Sequence, residues 1–243
     1  MLTHDLAIGY AKPLISNINL TLQKRSMTCL VGANGTGKTT FLRTLAGLQR
    51  PLSGVVEVDG KAISTLSPAQ ISRLVSVVLT DKVADSLITV NELVAMGRMP
   101  YTGFLGRLSD DDQKIVADSI ARLGIDNISD CRLQEISDGQ RQRAFIARAL
   151  AQQTPIIILD EPTAFLDFRS RAEVMELLQH LAHDDGKSVL LSTHELDLAE
   201  KFGDWYWVME EGRIICRHND HTPTTQAPTP LCRIFDIQGG VSD

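Results

Sequence analysis

Gly32-Ala33-Asn34-Gly35-Thr36-Gly37-Lys38-Thr39 fits the pattern G-x-x-x-x-G-K-[ST] without a gap. Met27-Thr28-Cys29-Leu30-Val31 before it reads as a short buried strand. From Thr40 to Leu48 the spacing predicts a helix with Phe41, Leu42 and Leu45 on one face. Strand, glycine turn, helix is the order phosphate binding needs. Glycines let successive backbone N–H groups converge on an anion because no Cβ blocks the approach. The helix start adds unpaired N–H groups and a partial positive charge. Lys38 is placed to reach terminal phosphates, and the Thr39 hydroxyl to sit on a divalent cation. Thr40 stands with them at the helix start. The alternative, a glycine-rich turn with a surface lysine, does not explain the flanking strand and helix.

The 243 residues suffice for one large domain or two small ones. Hydrophobic content of 43% and charged content of 22% are ordinary for a globular chain. No apolar run reaches the roughly 18 residues of a membrane span. Met1-Leu2-Thr3-His4-Asp5 shows no basic region leading into an apolar core, so no secretory signal is expected. The net charge of −6 argues against a nucleic-acid binder driven by phosphate contacts. Cys29, Cys131, Cys216 and Cys232 lack C-x-x-C spacing and read as reduced cytosolic thiols, neither a disulfide frame nor a zinc site.

Upstream of the loop, Ile18, Leu20 and Leu22 alternate with polar residues. Downstream, Val56 and Val58 alternate before an Asp59-Gly60 turn. Together they predict antiparallel sheet wrapped around the phosphate-loop unit. Ser67-Pro68-Ala69-Gln70 and Thr89-Val90-Asn91-Glu92 are capping boxes that open helices, the second to about Met96. Between them Val75–Leu79 reads as a strand. Gly97–Leu105 reads as a loop carrying Tyr101 and Phe104. Ser109 with Asp110, Asp111 and Asp112 starts a third helix, whose apolar side is Ile115, Val116, Ile120 and Leu123 and whose stop is Gly124. From about 87 to 136 the chain is therefore a helical insertion with no strand of its own. The sheet resumes at Ile156-Ile157-Ile158-Leu159, a run typical of a buried parallel strand. Ser170-Arg171-Ala172-Glu173 reads as another capping box, opening a helix with Val174, Leu177, Leu178 and Leu181 inside and Gly186 closing it. Ser188–Thr193 is the next strand, and Trp205–Met209 with Arg213–Arg217 forms a hairpin. The Thr- and Pro-rich tail from His218 is expected to be loose, with Leu231–Phe235 docking a short helix.

Four further places carry chemistry. Asp160-Glu161 ends a buried strand beside the phosphate loop; one carboxylate can hold Mg²⁺ and the other polarise water for attack on a γ-phosphate. Two acids there also fit a solvated turn, but the apolar run and the loop upstream favour metal and base. His194 closes the strand ending Ser192-Thr193; it is either structural or a hydrogen-bond partner of a γ-phosphate. Ser137-Asp138-Gly139-Gln140 precedes a helix from Arg141 to Gln152; it reads as an anion seat or, taken alone, as an ordinary serine N-cap. Tyr10, after Ile8-Gly9, is an aromatic that can stack on a purine; alone it is a packed or surface tyrosine. His180/His183 and His218/His221, spaced i, i+3, read as surface histidines rather than a metal site.

The order of phosphate loop, helical insertion, Ser-x-Gly-Gln, strand-Asp-Glu and strand-His resembles the ATP-binding subunit of ATP-binding cassette (ABC) transporters, over about Leu6 to Arg217. The resemblance implies an α/β phosphate-loop NTPase core with a mostly parallel sheet, an N-terminal antiparallel β subdomain and a helical insertion subdomain. It implies a nucleotide-binding domain at 1–217 and a partly loose tail at 218–243. It also implies ATP and Mg²⁺ as cofactors. On that basis Tyr10 is the adenine-stacking aromatic, and Gly32 to Thr40 hold the phosphates. Thr39, Thr80 and Asp160 attend the metal, Glu161 is the general base, and His194 is the switch histidine. Ser137, Asp138, Gly139 and Gln140 match the family signature, which binds the γ-phosphate of the opposite subunit. Ala164-Phe165-Leu166-Asp167 matches the loop that communicates across the dimer.

Three positions depart from the family pattern. The signature usually reads Leu-Ser-Gly-Gly-Gln, whereas here it is Ile136-Ser137-Asp138-Gly139-Gln140, with Arg141 as the basic neighbour to offset Asp138. Thr80 stands where the family has a glutamine that reaches Mg²⁺. Arg25-Ser26 replaces a turn glycine before the strand. With one loop and one signature, each chain carries half of two composite sites, so the resemblance implies a second copy of the chain. It also implies polytopic permease subunits, a substrate-binding protein and a peripheral place on the cytoplasmic membrane face. Val90–Val94 and Gly97–Tyr101 are similar to importer ATPases for ferric siderophores, haem and vitamin B12, with ferric siderophore the first choice. Tyr101, Phe104 and Leu105 are candidates for the membrane-partner contact. A soluble or exporter-type ABC ATPase is the alternative.

Overall fold

The computed structural model describes residues 1–79, 87–103, 106–164 and 166–219. Thr80, Phe104, Leu105, Phe165, His221 and the helix expected at Leu231–Phe235 lie outside the described residues.

Strand β3 (Ser26–Val31) is buried at every position and runs into the phosphate loop. It lies inside a six-stranded sheet with β6 (Val75–Val78), β7 (Ile156–Leu159), β8 (Ser188–Thr193), β9 (Trp205–Glu210) and β10 (Arg213–His218), in the order β10-β9-β3-β8-β7-β6. All pairs are parallel except the β9–β10 hairpin at the edge. The pleat sends alternate residues to opposite faces, and the core divides accordingly. Met27, Cys29, Val31, Ile157, Leu159, Val189, Leu191 and Val208 pack on one side with the later helices. Leu30, Ile156, Ile158, Leu190 and Trp207 pack on the other with α1 (Lys38–Leu45) and the antiparallel sheet.

That second sheet holds β1 (Leu2–Gly9), β2 (Pro13–Ile18), β4 (Ser53–Val58) and β5 (Lys61–Ala62), in the order β2-β1-β4-β5, all pairs antiparallel. Val56 and Val58 face inward before the turn, as their alternation requires. The expected alternation through Leu22 is only half strand: β2 stops at Ile18, and Leu20 and Leu22 are buried beyond it, with Thr21 bridging Leu2. Arg25, standing in place of a turn glycine, takes the left-handed conformation (φ +54°), and its guanidinium donates to the His183 carbonyl (3.1 Å).

The helices begin where their caps are. Ser67 caps α2 (Pro68–Ile71), Thr89 caps α3 (Val90–Ala95) and Ser109 caps α4 (Asp110–Arg122), each also donating its backbone N–H to the N3 side chain. Two starts differ from the sequence reading. Helix α5 (Asp138–Ala151) begins three residues before Arg141, because Ser137 and Gln140 make the capping box. Helix α6 (Phe168–His183) is capped by Asp167, not Ser170. The Asp167 carboxylate accepts from the Ser170 N–H (3.0 Å) and hydroxyl (2.8 Å), and Glu173 turns instead to Arg143 and Arg169. Helix α7 (Leu196–Phe202) follows β8.

The segment read as a loop from Gly97 is instead a 3₁₀ helix over Met96–Tyr101. Buried Arg98 explains it. Its guanidinium donates to Asp112 (2.8 Å), the Ala151 carbonyl (2.8 Å) and Gln153 (3.1 Å), and it stacks 4.1 Å from the Tyr101 ring centre. The Tyr101 hydroxyl donates to the Gln152 carbonyl (2.9 Å), so this candidate for a partner contact is folded back on its own chain.

The Ser109 hydroxyl, and after it Arg98, holds the Asp112 carboxyl at about 2, below its ordinary 3.8. A depressed carboxylate contributes stability above its unfolded pKa and loses it as pH falls through the folded one. Chemical unfolding measured from about pH 4 to about pH 2 should therefore show a steeper loss of stability in the parent than in Asp112→Asn. Parallel slopes would count against this anchor.

Candidate active site

The loop of interest is set by its two flanks. β3 delivers Gly32 beside β9, where a Cβ on it would lie 2.7 Å from the Met209 carbonyl oxygen. Gly37 caps α1 at φ +105°, a conformation that L side chains avoid. Between them Thr36 folds back, its hydroxyl donating to the Ala33 carbonyl (2.9 Å). The first turn of α1 carries Lys38, Thr39 and Thr40. Lys38 is buried, and its ammonium donates to the carbonyls of Gly32 (2.7 Å) and Ala33 (3.2 Å).

The neighbouring strands bring the acids. Asp160 is buried just beyond β7. Its Oδ2 accepts from the Thr39 hydroxyl (2.7 Å) and its Oδ1 from the Ser192 hydroxyl (2.6 Å). Ser192 Oγ also accepts from the Glu161 N–H (2.8 Å). Glu161 sits in the left-handed region (φ +49°), which costs a non-glycine residue energy and persists only where surroundings fix it. That turn aims its carboxylate away from the strand. Oε1 lies 3.5 Å from the Lys38 ammonium, and Oε2 lies 2.7 Å from His194 Nδ1.

Tyr10, Leu14, Asn34, Gly35, Gly37, Lys38, Thr39, Thr40 and Glu161 line a cavity of about 340 Å³. Tyr10 is 68% exposed, its ring free to receive a flat ligand. Larger cavities lie elsewhere, but none of their linings includes a residue of the loop or either acid.

The structure thus gathers Tyr10, the Gly32–Thr40 stretch, Asp160, Glu161 and His194 at one end of the parallel sheet. It does not bring in Ser137, Asp138, Gly139, Gln140 or Asp167, none of which lines that cavity. These form a second group. A Cβ on Gly139 would lie 3.5 Å from Ser170 Oγ and 3.9 Å from a Leu166 methyl, beside the start of α6. Arg141 pairs with Asp138 at 2.9 Å, the offset expected for that charge. Ser170, first through its N–H and then its hydroxyl, keeps the Asp167 carboxyl below the ordinary range. Thr80 lies outside the described residues.

Sequence reading missed Ser192, although a fully buried polar residue directly after the apolar run Val189–Leu191, at the end of β8, is what a support for the neighbouring strand's acids would look like. Of the other described histidines, His4 pairs with Glu57, His180 with Asp184 and His183 with Asp204, and the His218 ring meets Trp205 edge-on. Among the described residues, no cluster of three or more His, Cys, Asp or Glu is arranged to hold a metal ion, and no helix is long and apolar enough to cross a membrane.

An ABC transporter family model matches residues 15–164, which run from β2 through the phosphate loop and the helical region to the turn after Glu161. The chain belongs to the ABC transporter family. It is an ATPase that hydrolyses ATP for transport. Its fold is that of the ABC ATPases: antiparallel N-terminal β subdomain, mostly parallel main sheet and helical subdomain. Among relatives, it is 35% identical over 240 residues to the iron(3+)-hydroxamate import ATP-binding protein FhuC of Bacillus subtilis, covering 98% of this chain and 88% of that one. It is 35% identical over 229 residues to the cobalamin import ATP-binding protein BtuD of Halobacterium salinarum, covering 94% of this chain and 56% of that one. Among solved structures, a bacterial ABC transporter cassette determined as a dimer superposes with a TM-score of 0.79 at 25% identity, covering 91% of this chain and 99% of that one.

Proposed function

We propose that this ATPase powers import of a metal chelate, with ferric siderophore as the first choice and cobalamin or haem behind it. The similarity to FhuC runs nearly end to end in both chains, whereas BtuD matches over little more than half its length. The local stretches Val90–Val94 and Gly97–Tyr101 favour the same class. In this reading the chain lies peripherally on the cytoplasmic face of the membrane, bound to polytopic permease subunits that receive cargo from a substrate-binding protein. No nucleic acid is involved.

One observation carries the chemistry: the Thr39 hydroxyl and Asp160 carboxylate meet at 2.7 Å while Glu161 faces both Lys38 and His194. Hydroxyl and carboxylate oxygens are the donors a hard divalent cation takes, so this pair fits Mg²⁺, with Thr80 the third candidate. Bound there, Mg²⁺ supplies charge neutralisation at the phosphate oxygens. Tyr10 stacks on adenine. The Gly32–Thr40 amides and Lys38 hold the triphosphate. Glu161 orients and deprotonates the attacking water, and His194 keeps the Glu161 carboxylate aimed and meets the γ-phosphate.

The second group, Ser137 to Gln140 with Asp167, lies outside the cavity because it serves a second copy. Two chains sandwich two ATP molecules, each loop facing the other chain's Ser137 and Gly139. Closure of this pair drives the permease, and hydrolysis reopens it.

The test is reconstitution with the permease and binding protein in vesicles. Turnover should rise several-fold with a ferric hydroxamate-loaded binding protein. A rise with cobalamin or haem alone would reassign the cargo. Activity indifferent to every chelate and to the permease would favour a soluble or exporter-type role.

A further inference from the structure

We propose that Arg171 and Glu195 form a positioning strut that ties the switch histidine to the Asp167 loop; the proposal rests on the two-copy reading above. Glu195 follows His194 directly and stands at the N-cap of α7, yet its side chain makes no capping bond. It turns instead to two other elements. Oε1 accepts from the buried Thr163 hydroxyl (2.9 Å), and Oε2 accepts from Arg171 Nη1 (2.7 Å). The Glu195 N–H donates to the Thr193 hydroxyl (3.0 Å), which fixes the turn. Arg171 Nε donates in addition to the Leu166 carbonyl (2.8 Å), one residue before Asp167.

These bonds close a ring. His194 holds Glu161 from one side, and Glu195 holds Thr163, two residues further along, from the other. Arg171 extends the ring to the segment that the resemblance places against the second copy. The planar guanidinium matters here because two of its N–H groups address two acceptors at a fixed angle. A partly exposed pair of this kind adds little to stability. Its value lies in geometry: a shift of Asp167 on docking of the second copy is passed to His194 and Glu161 as one rigid piece.

The experiment is a double-mutant cycle with Arg171→Gln, Glu195→Gln and both together. Each single change should lower kcat about tenfold, and the pair no further, because both break one connection. Fluorescent-ATP affinity should stay within about twofold and the melting temperature within about 3 °C of the parent. Arg171→Lys should behave as Arg171→Gln, since a single ammonium nitrogen lacks the planar fork whose Nε and Nη1 reach the Leu166 carbonyl and the Glu195 carboxylate at once. Turnover within about twofold of the parent, additive losses, or a fall matched by lost ATP affinity or a large drop in melting temperature would each overturn the strut. In a Glu161→Gln background the Arg171→Gln chain should still pair on ATP. If Glu161→Gln alone stays monomeric with ATP, the two-copy reading fails, while the kcat cycle still decides whether the strut exists.

Discussion

Glu161→Gln should cut ATP turnover by two to three orders of magnitude, on the order of what a positioned general base supplies, while ATP binding survives. The geometry dictates both halves. The Glu161 backbone is set by its left-handed φ and by the Ser192 hydroxyl under its N–H, neither of which the substitution touches. Glutamine keeps the length and can still meet His194, so the turn holds. What disappears is the negative charge and the basic oxygen that receives a proton from water. Lys38, 3.5 Å away, loses a counter-charge and is freer to serve the phosphates. With ATP bound and no cleavage to release it, the pair of chains should accumulate. Size-exclusion chromatography with Mg²⁺ and ATP reads the outcome. A variant that turns over ATP at the parent rate, or one that stays strictly monomeric, would remove Glu161 from the role assigned to it or remove the paired site altogether.

Much of this architecture was legible because it is written in local chemistry. The phosphate loop needs glycines at fixed offsets, and capping boxes at Ser67, Thr89 and Ser109 need only four residues each, so all four are readable without knowing the tertiary fold. The continuous apolar run of β7, short and rich in isoleucine, is typical of a strand buried on both faces, and the structure has it so. The errors fell where a distant partner decides. At the start of α6 the reciprocal half of the Ser170 box is lost because Glu173 is drawn to Arg143, thirty residues back, and the cap falls to Asp167, a local signal that the sequence did offer. The 3₁₀ helix at Met96–Tyr101 is held by Arg98 reaching Ala151 and Gln153, more than fifty residues on. Tyr101 stays exposed as read, but the bond from its hydroxyl to the Gln152 carbonyl is invisible locally. At the site, motif residues were found and their supports were not. Ser192, Thr163 and Arg171 hold no motif position, and only the fold shows that they brace Asp160, Glu161 and Glu195.

Lys38→Met is expected to weaken ATP binding by about a hundredfold and to abolish measurable turnover, since a charge-assisted bond to phosphate contributes about 3 kcal/mol. Methionine keeps the unbranched apolar stem that the buried side chain packs, so the loss isolates the ammonium. The two carbonyls it now serves, Gly32 and Ala33, lose their donor. That alone costs about 1–3 kcal/mol if they stay dry, so the variant also melts earlier. Affinity must therefore be measured well below its melting temperature, by titration with a slowly hydrolysed ATP analogue. Loop backbone N–H groups and the α1 N-terminus remain, and they still favour an anion. Residual weak binding is thus expected, and its ratio to the parent gives the share the ammonium carries against the backbone. If affinity and turnover were both unchanged, the triphosphate would have to sit elsewhere, and the placement of Asp160 and Glu161 around this loop would lose its chemical meaning.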